Sequence, residues 1–530
     1  IPFRFSTINL NFCLRLVVMK KVKSQNRLGV SALILLISGF VCKSLGALFR
    51  LPLTNLIGIE GIGIFQLIMS LYAFALVLTS GGITNSLSKL ISGARARGEN
   101  AKIATYLKRA LFVGVGIGLL LGLVFLIFGK YISTFQGIAN NKSYYLFILL
   151  LPLGAGLSAL RGYFQGYENM VPTAVSQVIE QVFKFVFGLL FSFYFGKFGV
   201  TEGVFGAFLG ITLSEVVSLS YLFILQIYKN KNTQTLQNLQ EIKFARKEFD
   251  KANFPLMFSA SILPLVNAFD GLVIVPRLIK AGFTNGLATK LFGLQAGIVG
   301  AILNFPLIIS MAVTTTLLPN ISYLISRGSG GKKTIEKGLK LLLFLILPTT
   351  FGVVAISKQA FMLVYKDMTG AILDTAFDLM LYGAFSIIFT AIMQYLTMLL
   401  QANGEFKFIL AITALGGVAK ANLSFFLSAV PSINIFALVL GNIALSSIVC
   451  LLALWKLKRF VNFSLSFSEL FMLIFATFAM FLTVYTFINC NYFHIILNIL
   501  FAVALGMLVY LVLTIPFMLR LKTNKSKVRA

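Results

Sequence analysis

Six cations interrupt the apolar stretches of this chain: Lys43, Arg50, Lys89, Lys184, Arg277 and Lys420. A charge at bilayer depth costs roughly 2.5–3.5 kcal/mol on insertion scales, so each requires a partner, a route to the surface or a polar pathway. Lys43 and Arg50 stand seven residues apart, close to two helical turns, and project from one face of a stretch that holds no acid. Two unneutralised cations on one face suit an anion. Arginine grips a phosphate or pyrophosphate through two bonds and lysine adds a point charge. Arg50 precedes Pro52 near the end of its stretch and can also reach the surface, whereas Lys43 is near the middle.

The other charged positions divide by neighbourhood. Lys420 is deep in its stretch and is read equally as an anion ligand or a structural charge, while Lys89 lies close enough to an end to snorkel. Arg277, a further candidate for the anion, follows Asp270 by seven residues; about 10 Å of helix separates them, too far for a good direct pair. It too lies near an end. Glu180 and Lys184 have the i,i+4 spacing and order of a structural ion pair. Glu215 and Asp270 are candidates for a proton or sodium site, or else partners for one of the cations.

No nucleophile elbow, phosphate-binding glycine loop or metal-ligand cluster stands out, and the one histidine, His494, is isolated. Neither an enzyme nor a metal site is expected, and no cofactor. Cys13, Cys42, Cys450 and Cys490 show no paired spacing, which argues against a disulfide framework.

The elements that must hold these charges are membrane helices. With 58% hydrophobic residues and 12% charged, the composition is that of an integral membrane protein. Apolar runs of at least about 17 residues predict 14 spans, the first at 29–50 and the last at 493–519. A net charge of +29 would suggest nucleic acid for a soluble chain, but 32 of the 45 Lys and Arg fall in alternate loops on one side of the membrane. That is the positive-inside pattern, so both termini are expected in the cytoplasm and nucleic acid is not an expected partner.

A repeat of six spans is visible. Ser86-Leu-Ser-Lys-Leu-Ile-Ser92 closes the second span and Asn320-Ile-Ser-Tyr-Leu-Ile-Ser326 the eighth, each running into a basic, glycine-rich loop. Gln165-Gly-Tyr-Glu-Asn after the fourth span likewise matches Gln401-Ala-Asn-Gly-Glu after the tenth. An even repeat keeps its orientation, so the halves are parallel copies with a binding site between them. The expected organisation is a cytoplasmic segment 1–28, a first lobe 29–228, a cytoplasmic linker 229–252, a second lobe 253–455, an extra helix pair 456–519 and a basic cytoplasmic tail 520–530. Residues 1–18 precede Met19-Lys-Lys-Val-Lys and are expected to be an upstream extension. Gly114, Gly118 and Gly122 in the third span have the spacing of a close helix contact, and Pro264 and Pro276 are expected to bend or unwind the seventh.

Three separated motifs carry a family resemblance: Lys43-Ser-Leu-Gly-Ala-Leu-Phe-Arg-Leu-Pro-Leu-Thr-Asn through Gln66, Leu160-Arg-Gly-Tyr-Phe-Gln-Gly-Tyr-Glu-Asn-Met-Val-Pro-Thr-Ala, and Asp270 with Val275-Pro-Arg-Leu through Leu318-Pro-Asn-Ile-Ser. The chain resembles the stage V sporulation protein B group of polysaccharide biosynthesis proteins. That group sits in the multidrug/oligosaccharidyl-lipid/polysaccharide flippase superfamily, beside the lipid II flippases and the multidrug exporters. The resemblance implies an all-α protein whose two six-helix lobes form a V around a central cavity, with the extra helix pair accommodating a polyprenyl tail. It also implies basic residues on the first helix, matched here by Lys43 and Arg50. One departure is clear. Lipid II flippases carry an arginine five residues before the proline of the eighth helix, and Ala301 stands there, before Pro306.

The expected function is a bacterial cytoplasmic-membrane flippase that moves a polyprenyl-pyrophosphate-linked saccharide by alternating access, with Lys43, Arg50, Arg277 and Lys420 on the pyrophosphate. Its partners would be the lipid-linked oligosaccharide, membrane lipids and cell-wall synthesis enzymes; its energy source would be the membrane potential, H+ or Na+. The alternatives are a cation-coupled drug exporter, which would favour acidic cavity residues, and a non-transporting scaffold for cell-wall enzymes.

Overall fold

The computed structural model describes residues 27–138, 142–229, 236, 238–327, 331–365, 368–458, 467–490 and 494–526. Nearly all of the expected N-terminal segment, Cys13, residues 230–235 of the expected linker and the end of the basic tail lie outside the described residues. Regular structure among the described residues is entirely helical, and 13 helices are long and apolar enough to cross a membrane.

The fourteenth expected span is contained in the first element. Helix α1 (Arg27–Ser80) has 54 residues, which would reach about 80 Å if straight, well over twice the hydrocarbon thickness. It is broken at Gly58, where φ is 74° and ψ is 175°, a conformation that costs a residue with a Cβ. The chain doubles back there, so the Phe49 and Phe65 rings lie 6.5 Å apart on two antiparallel arms. Helix α2 (Ile83–Ala96) continues the returning arm.

Helices α3 (Ala101–Phe135), α4 (Phe147–Gly166), α5 (Val171–Gly196) and α6 (Val200–Lys229) complete the first half. The glycine spacing in α3 is a packing device, as its sequence suggests. A Cβ on Gly118 would stand 2.8 Å from the Pro152 nitrogen and one on Gly122 2.5 Å from Ile148 Cα, so α3 and α4 touch backbone to backbone.

The second half comprises α7 (Leu239–Lys280), α8 (Asn285–Phe292), a π-helical segment (Gly293–Val299), α9 (Gly300–Ser326), α10 (Lys332–Val364), α11 (Gly370–Ala402), α12 (Phe406–Leu427) and α13 (Ala437–Leu457). Helices α14 (Phe467–Asn489) and α15 (Ile495–Ser526) form the extra pair. Ala476, Met480, Val484, Ala502 and Tyr510 from this pair pack with Ala355 of α10, to one side of the two halves.

Helix α7 is not unwound: it remains helical through Pro255, Pro264 and Pro276, since a membrane helix re-satisfies the carbonyls a proline frees. It also begins inside the expected linker, with the Asn238 side chain accepting from the Gln240 amide at 2.9 Å as an N-cap. Residues 239–252 dock on the first half: Ala245 and Phe249 are fully buried among Ile91, Tyr106 and Tyr163.

The cores show how the halves meet. At the Gly58 end one continuous core joins both, with Phe49, Ile57 and Ile62 packed among Val275, Ala288 and Phe292. At the opposite end two cores lie apart, one around Leu87, Leu107 and Tyr163, which takes in only the start of α7 from the second half, and the other around Leu339, Leu396 and Val449. The halves thus form a V closed at the Gly58 end.

Candidate functional site

The interior of the V is a chamber in two connected parts. The first part, about 450 Å³, lies between α1 and α9 and is lined by Lys43, Arg50, Lys184, Asn304, Met311 and Gln394, among others. Among the described residues no carboxylate lines it. The second, about 580 Å³, shares Arg50, Met69, Asn304 and Leu307 with the first and extends to Asp270 and Lys420.

Each cation is held differently. The first arm of α1 carries both opening residues: the Lys43 ammonium lies 2.9 Å from the Met311 sulfur, a weak acceptor. Arg50 donates to the Gly297 carbonyl at 3.3 Å. That carbonyl belongs to the π-helical turn, whose altered hydrogen-bond register is a common feature of functional sites. Gly293, Gly297 and Gly300 are the sequence signal for this turn, and sequence reading passed over it.

Lys184 does not pair as its i,i+4 spacing predicts: Glu180, one turn away, binds Arg161 of α4 at 2.7 Å. Arg161 also donates to Ser176 at 3.0 Å. Lys184 instead lines the first chamber, its ammonium 5.6 Å from the Phe49 ring centre. A short-range helix rule sees only one helix; the competing partner comes from the next.

Asp270, read as an ion-coupling carboxylate or a partner for one of the cations, and Lys420, read as an anion ligand or a structural charge, bind one another at 3.1 Å with both side chains 6% exposed. Asn267 accepts a second bond from Lys420 at 2.8 Å. Arg277 is not in the chamber. Its Nε donates to the Phe425 carbonyl at 2.8 Å and its guanidinium stacks over the Phe425 ring at 4.2 Å, so it neutralises the negative end of α12. Glu215 is buried in the first half, where the Tyr72 hydroxyl donates to its Oε1 at 2.5 Å. Its other oxygen has no protein partner among the described residues.

The family model for polysaccharide biosynthesis proteins matches residues 28–325, over half of the chain. The chain belongs to this family. A second family model, lipid II flippase MurJ, matches residues 299–511. Stage V sporulation protein B of Bacillus subtilis (strain 168) is 30% identical over 295 residues, which span 55% of this chain and 57% of that relative. Among solved structures, a lipid II flippase MurJ in an inward closed conformation has a TM-score of 0.69 at 15% identity, covering 92% of this chain and 98% of that one. An inward-facing multidrug-resistance MATE transporter has a TM-score of 0.62 at 15% identity, covering 84% and 98%. The chain therefore shares the fold of these lipid II flippase and MATE transporter structures, and it is a multi-pass membrane protein.

In this polysaccharide biosynthesis protein the buried pair makes a sharp stability forecast. Lys420→Met leaves Asp270 uncompensated and is expected to cost about 3–5 kcal/mol, read as a lowered unfolding midpoint in detergent. Adding Asp270→Asn removes the stranded charge and is expected to recover most of that loss.

Proposed function

We propose that this protein is a flippase that carries a polyprenyl-pyrophosphate-linked saccharide, lipid II or another envelope polysaccharide precursor, across the bacterial cytoplasmic membrane by alternating access. The observation that carries the reading is the meeting of Lys43, Arg50 and Lys184 around one chamber with no carboxylate in its wall among the described residues. A pyrophosphate is costly to desolvate, and three cations at membrane depth supply the charge that water would otherwise provide. Lys184 contributes from α5 the third cation that Ala301, also in the chamber wall, does not. A drug exporter for cationic substrates would need free carboxylates, and Asp270, the one that reaches the chamber among the described residues, is already neutralised by Lys420.

The basic loops support a cytoplasmic position for both termini, and on that reading the V opens inward and the Gly58 end faces out. The polyprenyl tail runs along the extra pair, α14 and α15. Glu215, with its free oxygen beside Tyr72, is the better coupling site, and Glu215→Gln is expected to leave residual flipping that no longer responds to an imposed proton or sodium gradient, measured in proteoliposomes.

The decisive experiment is rescue of a strain depleted of its lipid II flippases by wild type and by Arg50→Ala. Rescue by wild type alone supports lipid II as cargo. Failure of well-expressed wild type excludes lipid II and leaves other lipid-linked saccharides to be assayed in vesicles; inactivity on all pyrophosphate-linked lipids would overturn the reading.

A further inference from the structure

A second basic cavity lies outside the V, where the start of α7 docks on α3. It encloses about 330 Å³ and is lined by Lys108, Arg109, Thr105 and Phe112 of α3 with Arg246 and Ile242 of α7. Its cations are not equivalent. Arg109 is committed to Asp250 through two bonds, at 2.6 and 3.0 Å, and so fixes the wall. Lys108 and Arg246 have no carboxylate within ion-pair distance among the described residues and are exposed.

The depth of the cavity identifies its surroundings. Residues 110–129 hold no charge, and 20 helical residues span about 30 Å, the thickness of the hydrocarbon layer. Lys108 thus stands at one boundary of that layer and Lys130 at the other. Phe112, one turn deeper than Lys108, is 73% exposed, and Phe244 on α7 is 64% exposed. Both rings have the amphipathic setting of an interface, with Arg109 5.8 Å from the Phe112 ring and Lys102 5.8 Å from that of Phe244. A site with two free cations at the headgroup level and an apolar flank below fits an amphiphile bearing a phosphate, not a soluble anion alone.

We propose that this cavity binds the phosphodiester headgroup of an anionic phospholipid, with Lys108 and Arg246 on the phosphate and an acyl chain along Phe112. Because Lys108 belongs to the first half and Arg246 to the helix that leads into the second, the bound lipid fastens the linking helix to the first half. The site is independent of the cargo chamber and of the transport reading.

The test is native mass spectrometry of the full chain in detergent, titrated with phosphatidylglycerol or with phosphatidylcholine of matched acyl chains. Wild type is expected to retain phosphatidylglycerol preferentially, and each cation removed is expected to weaken retention about fivefold. The double variant Lys108→Gln/Arg246→Gln should therefore lose the preference, while Lys108→Arg/Arg246→Lys keeps it. Thr105→Phe, which fills the cavity without changing charge, should lose it too, and inorganic phosphate in excess should not displace the lipid. An unchanged preference in the glutamine double variant would overturn the site, and displacement by inorganic phosphate would overturn its assignment to a lipid.

Discussion

Arg50→Met is expected to lower the rate of lipid-linked saccharide flipping by about 10- to 100-fold, with Lys184→Met following close behind and Lys43→Met least affected. The magnitude follows from hydrogen bonds to charged groups, worth about 1.5–3 kcal/mol each, at 1.4 kcal/mol per tenfold change. The order follows from the geometry. Arg50 borders both parts of the chamber, so it meets the cargo throughout its passage. Lys184 reaches one part only and has no carboxylate within ion-pair distance among the described residues. Lys43 is exposed near the open end and rests on a thioether, so other polar contacts substitute for it more easily. Arg50→Lys separates charge from geometry: retaining the point charge but losing the two-point grip, it should recover part of the rate. The measurement is dithionite-style protection of a fluorescent polyprenyl-pyrophosphate saccharide in proteoliposomes, with each variant matched for reconstituted protein. Equal rates for wild type and Arg50→Met would remove the anion-binding chamber from the mechanism.

The run lengths of apolar residues made the membrane crossings legible, because a helix in lipid must satisfy its own backbone and so declares itself locally. The break at Gly58 falls between the first two predicted spans, but no residue in that gap marked where the chain turns. Charges were legible as a set but not as pairs. Glu180 chose Arg161 over Lys184, and Asp270 chose Lys420, because the decisive partners come from helices distant in sequence. Arg277 shows the converse problem. Its partner is a main-chain carbonyl at the end of α12, which no side-chain pattern advertises. The start of α7 could have been found, since Leu239, Ile242, Ala245 and Phe249 repeat at helical spacing within an otherwise polar stretch.

Gly63→Leu is expected to prop open the Gly58 end of the V, the outer end on the proposed orientation, and abolish transport. The returning arm of α1 meets the second half there without side chains between the backbones. A Cβ on Gly63 would stand 2.2 Å from the Thr289 carbonyl oxygen, and one on Gly293 would stand 2.6 Å from the Gly63 nitrogen. A backbone carbonyl cannot turn aside as a flexible side chain can, so the helices themselves must separate. Overpacking of this kind costs about 1–3 kcal/mol, and here the cost falls on the outward-closed state, enriching the outward-open one by about 5- to 150-fold. The Glu60–Lys290 pair at the same end, 3.9 Å apart and exposed on both sides, is too weak to hold the closure alone. The readout is labelling of Asn304→Cys, in the chamber, by a membrane-impermeant maleimide added outside, in a background carrying Cys490→Ser. Wild type should be protected and Gly63→Leu labelled. Gly116→Leu is the control, because nothing lies within 4 Å of a Cβ there; it should be protected and should transport normally. Protection together with full transport in Gly63→Leu would show that the glycine contact is not the outer closure, and the alternating-access cycle would then need its gate elsewhere.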